Sequence, residues 1–258
     1  DHDYVDELVR TLPDAYQSAD TSVSVLLSGI VNKSAGIYGV MTVMRLFAPL
    51  PGIRTALASV AVFSIALGAL MAQRQKHFKR VCAYSSVSQM GYILLGLAAC
   101  TPLGLIGAAA HVFSHSMFKS TLFADAAAVH EQTGTFDIDE MGGLQKQMPV
   151  TSFTSVIAFL SAAGIPPFAG FWSKLTIVIA LWLSGMQAAA CLALLLSILT
   201  GAYFLRLQRK VFFGRPNPKL SQVSAMHGGI RAAQILLTVF TVAGGLAYPL
   251  ILAFLGVA

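Results

Sequence analysis

Charged side chains are scarce in this sequence of 258 residues. Asp, Glu, Lys and Arg make up 11% of it and apolar residues 56%, whereas a soluble domain carries about 25% charged residues. This scarcity excludes an ordinary soluble domain and indicates a membrane protein. The net charge of +6 does not indicate a nucleic-acid partner, because the basic residues lie in short loops between apolar stretches, where they set topology.

Cysteine is rare as well. Cys82, Cys100 and Cys191 are odd in number, widely spaced and within or at the ends of apolar stretches. This pattern suggests neither a disulfide framework nor a metal site and predicts three small buried apolar residues. Motifs for flavin, nicotinamide or an iron–sulfur cluster are also missing, so the sequence predicts no redox cofactor of its own.

Long apolar stretches are what the sequence has instead. Crossing a hydrocarbon core of about 30 Å takes roughly 20 residues. We therefore predict an all-α, polytopic membrane helix bundle of about seven spans, at 22–47, 52–72, 81–100, 102–127, 150–184, 186–212 and 231–256. In this division 1–21 is a polar N-terminal segment and 22–258 a transmembrane bundle. The first residues do not resemble a signal peptide, and without an initiator Met we expect a fragment or a trimmed chain.

The fifth predicted span is too long for one straight crossing. Its middle holds Gly164, Pro166, Pro167 and Gly170. Two consecutive prolines remove two backbone donors and clash with the preceding turn. We therefore predict two half-helices joined by an unwound segment, which a membrane tolerates only where protein or a water-filled cavity meets the freed backbone groups. The alternative is a simple proline kink.

The loops that fall on one side of a seven-span bundle, together with the helix ends that flank them, carry most of the basic residues. These are the N-terminal segment and the loops 73–80, 130–149 and 213–230. By the positive-inside rule this side is cytoplasmic. We expect a multi-pass protein of the cell inner (plasma) membrane with its long basic loops in the cytoplasm.

Ionisable residues interrupt three of the apolar stretches. Lys33 lies deep in the first, Lys174 follows the Pro-Pro pair, and His111, His115 and Lys119 lie in the fourth. A charge at the bilayer centre costs roughly 2.5 to 3.5 kcal/mol, so such residues are functional candidates. The last three recur every four residues and share one helical face, with about 6 Å of rise between neighbours.

We predict that these five residues form a proton relay, and we assign no residue a catalytic role. Histidine changes charge near neutral pH, and burial disfavours the charged form of lysine, so both can exchange protons. Two alternatives for the histidines stay open: structural hydrogen bonds in a helix interface, or a metal site, which lacks nearby ligands to complete it. For each lysine, the alternative is a structural ion pair with a carboxylate of a partner chain.

Other polar residues are less specific. After the break that precedes Lys174, the start of a half-helix could present free N–H groups and a positive dipole end to the amine. Ser85 and Gln89 predict hydrogen bonds to neighbouring helices more strongly than a water path. Asp125 receives no role.

Several blocks of the sequence resemble one membrane-protein family. They are KRVCAYSSVSQMGYILLGLA, HVFSHSMFKSTLF, MGGLQKQMP and AGIPPFAGFWSKL. LPDAYQSADTSVSVLLSGIVNKSAGIY in addition resembles a segment that usually reads LPDAH-x-x-APTPVSALL…K. The blocks are similar to the antiporter-like proton-pumping subunits of respiratory complex I, membrane-bound hydrogenases and multisubunit cation/proton antiporters. They cover nearly the whole chain from residue 11 onward.

The resemblance implies a bundle of about fourteen helices with two inverted repeats, each with a broken helix. This chain would supply the later half. Lys33 would then be the central relay lysine, His111 and His115 relay histidines, and Lys174 the exit-side residue. Residues 1–10 and the Asp-Thr-Ser run at 20–22 depart from the family pattern but leave the relay residues in place.

The resemblance also implies a function. It is a proton-translocating subunit of a redox-driven complex of the NADH dehydrogenase or membrane-bound hydrogenase type, with other membrane and redox subunits as partners. One alternative is a subunit of a multisubunit sodium/proton antiporter, and another is a structural membrane anchor with a vestigial relay. Without the Glu and Lys of the first half, this chain alone is not expected to pump protons.

Overall fold

The fold is all-α, as predicted. The computed structural model describes residues 14–15, 18–20, 23, 25, 32–47, 52–220, 228–254 and 256. These residues contain no β-strand. Their α-helices are α1 (Asn32–Phe47), α2 (Ile53–Arg74), α3 (Phe78–Ala98), α4 (Pro102–Thr133), α5 (Pro149–Ala163), α6 (Ala169–Leu183), α7 (Gln187–Val211) and α8 (Gly228–Phe254), with a 3-10 turn at Pro218–Leu220.

The helices overlap the predicted spans, and two of them, α5 and α6, fall in the fifth. α2, α3, α7 and α8 are each long and apolar enough to cross a membrane, and α5 and α6 are shorter apolar helices. The start of the first predicted span lies outside the described residues. α4 continues to Thr133, six residues beyond its predicted end, because helix-forming residues follow and Gly134 ends the helix in the left-handed conformation.

Two helices form the interior of the bundle. α4 packs against α3, α5, α6 and α8, and α3 packs against α2, α4 and α6. In α3, 83% of the apolar stretch is buried inside the bundle, compared with 33% in α2, 28% in α7 and 22% in α8. Side chains on α3 and α4 are therefore shielded by the outer helices.

Small residues bring α2 and α3 close together. A Cβ atom added at Gly68 would lie 2.6 Å from the backbone nitrogen of Ser88, and one added at Gly91 would lie 2.6 Å from the carbonyl oxygen of Ala61. Glycine at both positions therefore permits the near contact of two backbones, as is common between membrane helices.

Arg54 joins the ends of two helices. Its guanidinium donates to the carbonyl oxygens of Ala98 and Ala99 at 3.2 and 2.9 Å and to that of Ser184 at 3.4 Å. These carbonyls lie at the C-terminal ends of α3 and α6, where a cation is favourable. The contact fixes α6, which carries Lys174, against α3.

The cysteines are only partly as predicted. Cys82 is buried, but Cys100 and Cys191 are exposed, so the prediction of three buried residues is wrong for two of them. In a membrane protein an apolar side chain on the outer face meets hydrocarbon and needs no burial within the protein. An apolar sequence context therefore does not show on which face a residue lies.

Candidate functional site

α4 places three ionisable side chains in the protein interior. His111, His115 and Lys119 have exposed fractions of 0%, 1% and 0%. The ring centroids of the two histidines are 6.4 Å apart, and the His115 ring meets the edge of Phe118 at 5.2 Å. The spacing predicted from the sequence does bring the three residues onto one buried face.

His111 is hydrogen-bonded through both ring nitrogens. Nδ1 lies 2.9 Å from the Ser173 hydroxyl on α6, and Nε2 lies 3.1 Å from the side-chain oxygen of Gln89 on α3. The interhelical hydrogen bond predicted for Gln89 is thereby confirmed. Because both nitrogens are occupied, the geometry favours hydrogen bonding over metal binding at His111.

The partners of His111 can accommodate two protonation states. The Gln89 oxygen only accepts, so Nε2 carries a hydrogen, and a neutral His111 accepts at Nδ1 from the Ser173 hydroxyl. A protonated His111 donates at Nδ1 instead. The Ser173 hydroxyl then turns to the carbonyl oxygen of Gly170, which lies 3.2 Å away. Rotation of one hydroxyl therefore adapts the site to the gain or loss of a proton.

An aromatic ring lies between Lys174 and His111. Its side chain is buried, and Nζ lies 4.4 Å from the ring centroid of Tyr92. The Tyr92 ring lies 5.7 Å from the His111 ring and is held by a hydrogen bond from its hydroxyl to the Ala193 carbonyl, at 3.0 Å. Two residues that are 63 positions apart thus share one neighbour.

The amine of Lys174 does not face the helix end that the sequence suggested. Nζ donates to the Ala162 carbonyl oxygen at 2.7 Å. That oxygen belongs to the C-terminal end of α5, where unpaired carbonyls carry the negative end of the helix dipole. The expectation of free N–H groups from α6 is therefore wrong for this amine, which folds back across the gap between α5 and α6.

That gap contains the predicted helix-breaking residues. α5 ends at Ala163, Gly164 has a φ of 82°, and α6 begins at Ala169 after Pro166 and Pro167. Gly170, at the start of α6, lies against the Ser161 carbonyl so closely that an added Cβ would overlap it, and its N–H donates to the Ser161 hydroxyl at 3.2 Å.

Protein covers part of the same gap. Gly245 of α8 packs against Pro167, Phe168 and Ala169, and a Cβ added at Gly245 would lie 2.7 Å from the Ala169 nitrogen. The Lys174 amine and α8 therefore approach freed backbone groups of this segment, which is the condition for irregular backbone at membrane depth.

Lys119 is anchored on α3. Its amine donates to the Cys82 carbonyl oxygen and the Ser85 hydroxyl, and lies 5.8 Å from the Phe204 ring centroid. Ser85 thus contacts a neighbouring helix, as predicted. Lys33 lies in α1, but its side chain is outside the described residues.

Two residues join this site that the sequence did not single out, Ser173 and Tyr92, and Gln89 was predicted only to bond a neighbouring helix. Gln89 and Ser173 bind His111, and Tyr92 lies between His111 and Lys174. Polar residues on α3 and a serine beside Lys174 were the available signals. Their alignment with α4 depends on how three helices pack, which spacing along one helix does not reveal.

A family model matches most of the chain. Residues 9–200 match the model for NADH:quinone oxidoreductase/Mrp antiporter, TM. The chain belongs to this family. Its members are multi-pass membrane proteins, in agreement with the apolar helices of the bundle.

Individual relatives include both redox and antiporter proteins. The chain is 37% identical over 221 residues to NAD(P)H-quinone oxidoreductase chain 4 1 of Synechococcus elongatus, covering 83% of this chain and 41% of that protein. It is 32% identical over 238 residues to a Na(+)/H(+) antiporter protein of Alkalihalophilus pseudofirmus, covering 92% and 48%. The chain therefore spans less than half the length of these relatives.

A solved structure shows the same fold. A chain of the archaeal membrane-bound sulfane sulfur reductase superposes with a TM-score of 0.85 and is 31% identical, with 91% of this chain and 40% of that chain covered.

Proposed function

We propose that this chain is the later half of a proton-translocating, antiporter-like membrane subunit of a redox-driven complex. The relay would run through Lys33, His111, His115, Lys119 and Lys174. The observation that carries the proposal is the buried row of His111, His115 and Lys119 on one face of α4, in which the two histidine rings lie 6.4 Å apart and Tyr92 lies between His111 and Lys174. Buried ionisable groups at membrane depth are expensive and are typical of proton paths.

Proton transfer along this array depends on the charge of each neighbour. An amine that gains a proton repels a second positive charge nearby, so a proton arriving at one residue favours release from the next. His111 can take part without losing its partners, because the Ser173 hydroxyl has two acceptors available. In the proposed direction protons enter from the cytoplasmic side through Lys33 and the histidines, and leave through Lys174.

The energy must come from other subunits. Moving one charge against 100 mV takes about 2.3 kcal/mol. The relatives include a quinone oxidoreductase chain, and the matching solved chain belongs to a respiratory membrane complex. We therefore assign the redox chemistry to partner subunits, in contact with this chain and the lipid bilayer, and assign no redox centre to this chain.

The proposed arrangement in the membrane has about seven spans. Residues 22–258 form the bundle, preceded by the polar segment 1–21, and α5 and α6 together make one discontinuous span whose break lies at Gly164–Phe168. The separate α5 and α6, each of 15 residues, support this reading, since neither alone reaches the roughly 20 residues of a full crossing. The basic long loops are cytoplasmic in the inner (plasma) membrane.

The second candidate is a subunit of a multisubunit sodium/proton antiporter. The 32% identity to the antiporter protein of Alkalihalophilus pseudofirmus, over 92% of this chain, favours it. In that case proton movement is coupled to sodium ions rather than to electron transfer. A structural anchor with a vestigial relay is the third candidate.

The test is proton translocation by the complete complex in proteoliposomes, with Lys174→Ala and Lys33→Ala as separate variants. Because each removes a proton-binding amine, we expect the number of protons moved per turnover to fall at least tenfold. Lys210→Ala is the control, since Lys210 pairs with Asp139 on the loop side, away from the relay. Unchanged translocation in both relay variants leaves only the anchoring role. Translocation that requires sodium and no electron donor assigns the antiporter function.

A further inference from the structure

One buried carboxyl group has no place in the relay described above. Asp125 on α4 has an exposed fraction of 0%. Its Oδ1 accepts hydrogen bonds from the Thr154 hydroxyl on α5 and from the Gln234 amide on α8, each at 2.8 Å. Gln234 also lies 3.3 Å from the Thr151 hydroxyl. Three helices therefore meet at one acid in the interior of the bundle.

The second oxygen of Asp125 has a different environment. Among the described residues, Oδ2 is buried and has no hydrogen-bond donor, and no Lys, Arg or His forms an ion pair with the carboxyl group. The side-chain oxygen of Gln234 is likewise buried without a donor in this part of the chain. A carboxylate here would be an unpaired buried charge, which is costly.

The ionisable groups around Asp125 do not change this picture. α5 contains no ionisable residue, and on α8 Arg231 is exposed and Tyr248 lies four turns further along. Cys82 of α3 lies near both Asp125 and Lys119. Lys119 itself is held by Cys82 and Ser85 and makes no ion pair with Asp125.

A protonated acid fits the same contacts without an unpaired charge. Oδ1 then serves as the carbonyl oxygen that accepts both hydrogen bonds, and Oδ2 carries the proton. Binding forms one O–H bond at Oδ2 with a proton taken from water. Release breaks that bond and returns the proton to water or to a basic neighbour, with no other bond changed.

The position of Asp125 suggests which end of the relay it serves. It lies six residues beyond Lys119, about 9 Å along the helix axis. Thr151 and Thr154 lie in the first two turns of α5, and Gln234 lies in the second turn of α8. α4 runs from Asp125 toward the loop 134–148, and α5 and α8 both begin after long loops. The cluster therefore lies between Lys119 and the long-loop end of the bundle.

We infer that Asp125 is a proton-binding group at the long-loop end of the relay, which exchanges protons between the aqueous phase on that side and Lys119. The inference rests on the proposed function and adds a residue to it. The competing explanation is a purely structural hydrogen-bond acceptor that joins α4, α5 and α8. The two differ in one property, because a structural acceptor needs the oxygen but not the proton.

Asp125→Asn separates these explanations in the complete complex. Asparagine keeps an oxygen that can accept from Thr154 and Gln234 but cannot bind and release a proton. We expect translocation to fall at least tenfold in Asp125→Asn and to be largely retained in Asp125→Glu. Asp139→Asn is the matched control, since Asp139 is a loop carboxylate paired with Lys76 and Lys210, and we expect no change.

An infrared measurement tests the proton directly, without transport. We expect the wild-type complex to show the carbonyl band of a buried carboxylic acid, and we expect that band to shift in Asp125→Glu and to be absent in Asp125→Asn. If Asp125→Asn does not assemble, the shift of the band in Asp125→Glu decides the question.

Two results would overturn the inference. One is normal translocation by Asp125→Asn while Lys174→Ala is defective, which leaves the proposed function intact and makes Asp125 structural. The other is absence of the band, or its loss on adding sodium chloride at fixed pH, which makes Asp125 a carboxylate or a cation ligand. Normal translocation in both variants instead removes the proposed function itself.

Discussion

The inner helix α3 and the outer helices α7 and α8 differ in both polarity and burial. α3 is the least apolar of the four long membrane-crossing helices in the described part of the chain, yet it is the most buried. α7 and α8 are more apolar and mostly exposed. Leu195, Ile198 and Leu250 on these outer helices have exposed fractions of 61%, 68% and 73%, while Gln89 and Lys119 on the inner pair have 0%.

The comparison shows what each set of helices does. In a membrane the outer face meets hydrocarbon, so apolar residues there are neutral or favourable, and polar residues are tolerated where other protein groups bind them. The inner helices can therefore concentrate ionisable groups because the outer ones shield them. In this bundle the polarity of a residue therefore indicates how far that residue lies from lipid. It is a poorer indicator of whether the residue belongs to an apolar core.

The largest effect is expected from placing a charged side chain on the apolar outer face. Leu195→Arg on α7 places a charge in the hydrocarbon or in an apolar contact, at a cost of about 3 kcal/mol. We expect a marked fall in the amount of assembled complex on native gels. Leu195→Phe is the control and should assemble normally. Equal assembly of the two variants would contradict the assignment of this face to an apolar environment.

A second effect should distinguish the crowded gap between α5 and α6 from the open face of α7. Gly170→Ala forces a Cβ onto the Ser161 carbonyl at the gap between α5 and α6. Overpacking of this kind costs about 1–3 kcal/mol. Gly201→Ala on α7 meets nothing within 4 Å and should stabilise the helix by about 0.5–1 kcal/mol. The two variants should therefore shift the thermal unfolding midpoint in opposite directions; a stabilising shift in Gly170→Ala would mean that the Ser161 carbonyl does not crowd this position.

Residues that share a helix could be predicted from the sequence. The four-residue spacing of His111, His115 and Lys119 determined their common face, because helical geometry alone sets it. The apolar stretches also located the helices. Their ends were predicted less accurately: α3 begins at Phe78, three residues before the predicted start. Lys79 and Arg80 lower the local hydropathy but do not oppose helix formation.

Contacts between helices could not be predicted in the same way. Ser173 and Tyr92 join His111 only after α3, α4 and α6 pack together. The Lys174 amine binds the end of α5 because its flexible stem can fold back, which no pattern in the sequence specifies. Asp125 received no role, since its partners on α5 and α8 are 29 and 109 residues away.

A cluster on the loop side of the bundle provides the smallest of the expected effects. We call it the loop cluster, and it consists of His77, His130, Phe136 and Lys79. The Phe136 ring stacks on His130 at 4.0 Å and on His77 at 5.0 Å, and the Lys79 amine lies 4.8 Å from its centroid. Backbone hydrogen bonds from Phe78 to Phe136 and from Ile138 to Lys76 attach the same segment.

The loop cluster should loosen in acid, whereas the buried inner helices should not. Burial, with Lys79 and Arg80 nearby, lowers the pKa of His77 below its usual value of 6.5, and burial and Lys79 lower the pKa of His130. The folded cluster therefore binds protons less tightly than the unfolded segment does. Its stability is complete above pH 6.5 and declines as the pH falls below that value toward the lowered pKa.

Hydrogen exchange measures this decline. After correction for intrinsic rates, we expect the amides of Phe78 and Ile138 to lose protection between pH 7.5 and 5.5, while amides in the middle of α3 keep theirs. His130→Gln removes one titrating ring and should reduce the pH dependence in proportion. Equal pH dependence in the variant and the wild type would mean that His130 does not contribute to the loss of protection in acid. His77, which also stacks on Phe136, would then be the ring whose protonation loosens the segment.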